Sequence, residues 1–270
     1  KSLNTNNNQD YKLALISCYQ SLSSIDNQII NLKNYISNDI EFNKLLDLQF
    51  REIIIENNIS KVIALSTDKA ANPINLCGAT KLASDKLFIA ANNLVGSAKT
   101  RFTVVRYGNV LNSRGSVVPL FKQLSENKEK FLPITHPKMT RFWVSLEDAV
   151  KFVDYCFKIM QGGEILIPKI PSIKITDLAK AINPKMHQKI IGIKPGEKLH
   201  EIMCPKDSAH LTYEFKRYYL ITTDIIFFNT NRNFKKNKFS ETGKLVKENF
   251  EYNSLTNKQF LSISQIKKLI

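Results

Sequence analysis

From Lys61 onward, short β-branched runs alternate with amphipathic stretches, the rhythm of an α/β protein built on a mainly parallel sheet. KVIALS at Lys61–Ser66 predicts a buried strand, and Gly78–Asn92 a helix whose apolar side carries Leu82, Leu87, Phe88 and Ala91. FTVVRY at Phe102–Tyr107 predicts the next strand, Val117–Leu124 a helix and Arg141–Val144 an extended segment. Ser145, three positions before Asp148, opens a helix that runs to Met160 and is stopped by Gly162-Gly163. A strand at Ile165–Ile167 follows, then a helix, DLAKAI, capped by Thr176 and ended before Asn183-Pro184. Lys189–Ile193 predicts another strand and SISQIKKLI a closing helix.

Residues 1–58 have a different texture. A polar NTNNNQD run gives way to helical spacing at Leu13, Ile16, Tyr19 and Leu22, and later at Leu45, Leu48, Phe50 and Ile53. These positions predict a frayed tail and two or three helices. The expected organisation is therefore a divergent segment, 1–58, followed by one compact unit, 59–270, without internal repeats. Position 1 is Lys1 and no apolar leader follows it, so the sequence reads as a fragment.

Composition narrows the class. The 270 residues are 43% hydrophobic and 23% charged, ordinary for a globular protein, and no apolar run approaches the roughly 18 residues of a membrane span. Cys18, Cys77, Cys156 and Cys204 form no CxxC pair, which points to reduced thiols in a cytoplasmic compartment and to no metal site. The net charge of +15 invites a nucleic-acid reading. However, 32 of the 39 basic residues are lysine, spread along the chain with 26 asparagines, the mark of a coding bias rather than of an arginine-rich binding face. The densest basic cluster, RNFKKNK at Arg232–Lys238, reads as a solvated loop. No nucleic-acid partner and no membrane are expected.

Candidate chemistry gathers where strands end. KVIALS runs into Thr67-Asp68-Lys69 at the carboxyl end of a predicted parallel strand, the edge at which open α/β sheets bind ligands. Cys77 and Lys81 follow, one helical turn apart. After the next strand come Arg106-Tyr107-Gly108-Asn109 and then Ser113-Arg114-Gly115-Ser116. Polar groups from two neighbouring strands thus converge. Taken alone, Asp68 reads better as a helix or turn cap before Asn72-Pro73 than as a catalytic group.

Five motifs, STDKAANPINLCGATK, RYGNVLNSRGSVVP, MTRFW, GGEILIPKIPS and IIGIKPGEKLHE, occur in order. Through them, residues 50 to 270 resemble the inverting UDP-N-acetylglucosamine 4,6-dehydratases, a nucleotide-sugar branch of the extended short-chain dehydrogenase/reductases. The resemblance implies an α/β fold: an incomplete Rossmann-like parallel sheet with a small C-terminal substrate-binding region. It implies a lyase that uses NADP, removes water from UDP-N-acetylglucosamine and delivers a 4-keto-6-deoxy sugar nucleotide to pseudaminic acid and related surface or flagellar glycans. It also implies a homo-oligomer, or a partnership with an intact paralogue.

Carried over by position, the resemblance puts Thr67 near sugar O4, with Asp68 and Lys69 handling the C6 leaving group and the C5 proton. An elimination needs one acid and one base, and this adjacent pair supplies both types. Lys81 would bind the nicotinamide ribose, Asn109 the diphosphate region and Arg141 the substrate. Lys194 and Glu197 would face the uridine end. His200, in GEKLHE, reads as a helix-surface residue, and Trp143 equally as pocket lining or core.

Three departures from the family qualify this. The position before GATK, a tyrosine in the family, is Cys77; its sulfur stops several bonds short of a phenolate oxygen, and its expected place is a small buried site at the helix start. All nine glycines lie at position 78 or later, so the glycine turn that admits a dinucleotide pyrophosphate is missing. Lys194 stands where the family usually has arginine and lacks its planar fork. The reaction is therefore expected to be impaired in this chain, the alternative being a non-catalytic UDP-sugar-binding or oligomer-partner remnant.

Overall fold

The computed structural model describes residues 59–95, 99–113, 115–222 and 232–270. The helices expected within residues 1–58, and Arg114, lie outside the described residues. Nearly all the rest belongs to one compact unit, Lys61–Gly96 with Arg101–Ile270.

Alternation of β-branched and apolar side chains puts KVIALST into strand β1 (Lys61–Thr67). A 3-10 turn, Asp68–Ala70, redirects the chain into helix α1 (Leu76–Leu94). Strand β2 (Arg101–Tyr107), its five central residues all buried, then pairs with β1 in parallel, with Thr67 opposite Tyr107. The two strands therefore end level with each other. Beyond them lie β3 (Asn109–Val110), α2 (Val117–Glu126), β4 (Phe131–Ile134), β5 (Thr140–Val144) and α3 (Leu146–Ile159). Strand β6 (Ile165–Pro168) joins β2 in parallel.

The chain continues through β7 (Ser172–Lys174), α4 (Ile175–Ile182), β8 (His187–Ile190), β9 (Ile202–Cys204), β10 (Thr212–Glu214) and β11 (Tyr218–Ile221). It closes with β12 (Lys244–Leu245), β13 (Tyr252–Asn253) and α5 (Ile263–Leu269). The main sheet has the order β1-β2-β6-β11-β10-β12. Only its first three strands are parallel; β11, β10 and β12 continue it antiparallel. The expected α/β class and Rossmann-like parallel sheet are present, and the antiparallel extension is what periodicity did not reveal. A smaller layer, β3-β5-β7, and the parallel pair β4-β8 flank it.

Several local expectations need correcting. Helix α1 starts at Leu76 because the Asn75 side chain caps it, its Oδ1 accepting the Gly78 N–H at 2.8 Å. On that helix Leu87 is 40% exposed whereas Ile89 and Asp85 are buried. Asp85 can go inside because the Arg106 guanidinium on β2 meets its carboxylate at 2.8 Å. Thr176 does not cap α4; Lys174 precedes it as the cap and Thr176 lies in the first turn. The strand expected at Lys189–Ile193 is β8, and Ile191 and Ile193 beyond it are exposed. Ser145 caps α3 as expected, accepting the Asp148 N–H at 3.0 Å.

Candidate functional site

The carboxyl end of β1 turns sharply, which brings three polar residues together. Thr67 Oγ1 donates to Asp68 Oδ1 at 2.9 Å, and Lys69 Nζ donates to the same oxygen at 3.3 Å. Lys69 Nζ also donates to Asn109 Oδ1 at 3.3 Å, tying the end of β1 to β3. Asp68 is fully buried, and its second oxygen, Oδ2, has no hydrogen-bond partner. The turn is held by close packing: a Cβ on Gly78 would lie 2.4 Å from the carbonyl oxygen of Lys69. Glycine is thus required where α1 passes over the turn.

Lys69 opens onto a cavity of about 570 Å³, within the range of ligand sites. Asn109, Arg141, Trp143, Lys194 and Glu197 line it as well. Arg141 reaches Glu197 at 3.4 Å through Nη2, and its Nη1 donates to the carbonyls of Thr140 and Leu199 at 2.8 and 3.2 Å. Glu197 Oε2 accepts the Lys194 backbone N–H at 3.4 Å. At the rim, Asn75 Nδ2 donates to the Gly196 carbonyl at 2.7 Å, joining the start of α1 to the Gly192–Gly196 loop. Trp143, 4% exposed, is at once core and cavity wall.

Thus Thr67, Asp68, Lys69, Asn109, Arg141, Lys194 and Glu197 form one constellation. Cys77 and Lys81 stand apart, exposed on α1 and outside the cavity lining. The small buried site expected for Cys77 is not found; its thiol is exposed. His200 is not on a helix surface either. It is half-buried, its Nδ1 2.8 Å from Thr140 Oγ1, and burial and then Arg141 lower its pKa.

Two charged residues of the same GEKLHE motif escaped the sequence reading. Lys198 Nζ donates to the Ala71 carbonyl at 2.5 Å, just past the catalytic candidates. Glu201, 4% exposed, lies between two cations: Arg141 Nε at 3.6 Å and Lys198 Nζ at 3.9 Å. Burial, and next the neighbouring Asp68, raise the Glu201 carboxyl above its ordinary pKa, while Arg141, Lys69 and Lys198 oppose that. Burial lowers the pKa of Lys198. The run of alternating charge in GEKLHE was the available signal, but nothing in it says which charges go inside.

The model of the polysaccharide biosynthesis protein family matches residues 28–223. The chain belongs to that family. The inverting UDP-N-acetylglucosamine 4,6-dehydratase of Campylobacter jejuni is 58% identical over 215 residues, covering 80% of this chain and 64% of that protein. A UDP-glucose 4-epimerase of Rickettsia rickettsii is 39% identical over 221 residues, covering 80% and 62%. Among solved structures, the X-ray structure of Pen from Bacillus thuringiensis matches with a TM-score of 0.68 at 30% identity, covering 84% of this chain and 66% of that one. The chain spans a little under two thirds of these relatives' lengths.

Cys77 and Lys81, the positions that the resemblance assigns to the nicotinamide end, are exposed on α1, and Gly78 between them packs against the backbone carbonyl of Lys69. Among the described residues no helix is long and apolar enough to cross a membrane.

Proposed function

We propose that this chain carries the sugar-nucleotide half of an inverting UDP-N-acetylglucosamine 4,6-dehydratase. The net reaction converts UDP-N-acetylglucosamine into its 4-keto-6-deoxy product plus water, for surface glycans of the pseudaminic acid type, in the cytoplasm. The supporting observation is the meeting of Lys69, bonded to the buried Asp68 behind it, with Arg141, Lys194 and Glu197 around one cavity. In this reading the cations lining the cavity attract the diphosphate, Asn109 lies beside it, and Lys194 with Glu197 faces the uridine. Asp68 and Lys69 between them handle the C5 proton and the departing C6 hydroxyl, with Thr67 holding the Asp68 carboxylate.

NADP is the cofactor expected from the family, and the glycine turn that would admit its pyrophosphate has no counterpart in the residues before Gly78. With Cys77 at the tyrosine position as well, turnover by this chain alone is expected to be at least about 100-fold below that of an intact enzyme, the scale of one lost acid–base group. Calorimetry should show UDP-N-acetylglucosamine binding, and mass spectrometry should show little 4-keto product in the presence of NADP. Absence of binding would remove the proposal; rapid turnover would remove the impairment.

A second reading, a non-catalytic UDP-sugar-binding partner of an intact paralogue or of its own copies, draws on the exclusion of Cys77 and Lys81 from the cavity. It predicts the same binding, with turnover near zero even when Cys77 is replaced by Tyr.

A further inference from the structure

The least accounted-for group at the cavity is a carboxylate with nothing to do. Glu201 lines the cavity floor, almost fully buried, and its Oε2 has no hydrogen-bond partner. Its backbone is fixed: the Glu201 N–H donates to Ser254 Oγ at 2.9 Å and its carbonyl accepts the Ser254 N–H at 2.8 Å. Only the carboxyl end is unsettled, and its two cations stand at 3.6 and 3.9 Å, outside ideal hydrogen-bonding range. Both of those cations, Arg141 and Lys198, also line the cavity.

We propose that Glu201 is the proton acceptor linked to ligand binding: when a diphosphate seats on Arg141 and Lys198, Glu201 loses their charge and takes up a proton. The inference rests on the UDP-sugar reading of the cavity. A dianionic diphosphate offers Arg141 and Lys198 better-placed oxygens than Glu201 does, so seating it draws both cations off the carboxylate. A buried carboxylate left beside Asp68 with only Lys69 as a counter-charge, itself paired to Asp68 at 3.3 Å, is costly, and protonation removes that cost. The released interaction is replaced by a neutral carboxyl that can donate through its new O–H.

The groups that face Glu201 are consistent with this sign. Asp68, in the turn after β1, repels the charged form; Lys69 beside it, Arg141 on β5 and Lys198 on the same loop favour it. Arg106 on β2 acts on Lys198 and holds its own partner, Asp85. Glu197 competes for Arg141 at 3.4 Å, and His200 is turned to Thr140. Ser254 and Thr140, the hydroxyls beneath, bond each other at 2.7 Å and carry no charge.

Titration calorimetry of the full chain with UDP-N-acetylglucosamine, in buffers of differing ionisation enthalpy, reads the proton directly. This ligand has no titrating group of its own near neutrality. The expected result near pH 7 is net uptake of a fraction of a proton up to one, with affinity rising as pH falls by at most about tenfold per pH unit. Glu201→Gln should bind the ligand with that uptake reduced towards zero, and His200→Gln should keep it. Binding without proton uptake in the unaltered chain overturns the proposal while leaving the UDP-sugar reading intact. Loss of uptake in His200→Gln alone would move the proton to His200 and overturn it too. No binding at all would remove the UDP-sugar reading itself. The wild-type measurement decides even if Glu201→Gln does not fold.

Discussion

Cys77 shows how one side chain's surroundings decide its chemistry. The sequence expectation placed it inside; the structure leaves it on the exposed face of the first turn of α1. Cys204, by contrast, is buried with its pKa pushed up to about 11, and burial holds the Cys156 thiol well above its ordinary range. Both therefore stay protonated at pH 8, and neither is reached by solvent. Cys77→Ser should abolish one fast-reacting thiol towards Ellman's reagent at that pH in the native protein, leaving the slow ones unchanged. An unchanged fast phase would show that Cys77 is covered. Placement of Asp68, Lys69 and Asn109 was legible because each follows a strand directly, and the end of a strand is a position that periodicity fixes. Exposure of Cys77 and burial of Glu201 were not, because burial is decided by which distant elements pack over a residue: β5 and Ser254 close over Glu201, and the Cys77 thiol is left open.

At the level of elements, the contact between α1 and the turn after β1 governs the site. Replacing a helical glycine by alanine ordinarily stabilises a protein by up to about 1 kcal/mol. At Gly78 the added methyl carbon would meet the backbone oxygen of Lys69 at 2.4 Å, and a carbonyl held in a tight turn cannot swing aside as a flexible side chain would. The clash wins. Gly78→Ala should lower stability by about 1–3 kcal/mol in urea denaturation and weaken UDP-N-acetylglucosamine binding as Lys69 is displaced. A stabilised variant would mean that the turn yields. The five helices and the longer strands β1, β2, β5 and β6 were readable because each has its own apolar period, whereas short strands such as β3, β7 and β9, of two or three residues, are too brief to show one. The antiparallel addition of β11, β10 and β12 was not readable, since Tyr218–Ile221 is buried throughout and a continuous apolar strand says nothing of its direction.

Across the whole molecule, charge is distributed in two ways. The formal +15 is mostly scattered lysine, and Lys235, Lys236 and Lys238 of the densest cluster are exposed beside turns rather than arrayed on a face. Lys69, Arg141, Lys194 and Lys198, in contrast, surround a single cavity. Raising salt from about 50 to 200 mM should therefore weaken UDP-N-acetylglucosamine binding several-fold, because partly buried cations are screened less than exposed ones but not spared. Duplex DNA, if bound at all, should show no sequence preference. Tight, sequence-selective DNA binding would restore the reading that composition alone suggested.

Ser254 carries a temporal consequence. Its hydroxyl joins Thr140, 114 positions earlier, to the backbone of Glu201, 53 positions earlier. A ribosome adding about 5–20 residues per second has already delivered the strands, the turn and every cation of the cavity before that hydroxyl leaves the exit tunnel. The nascent chain must therefore wait several seconds with its ligand chamber unfastened, and that interval is when a chaperone, or the sugar nucleotide itself, has most to gain by being present.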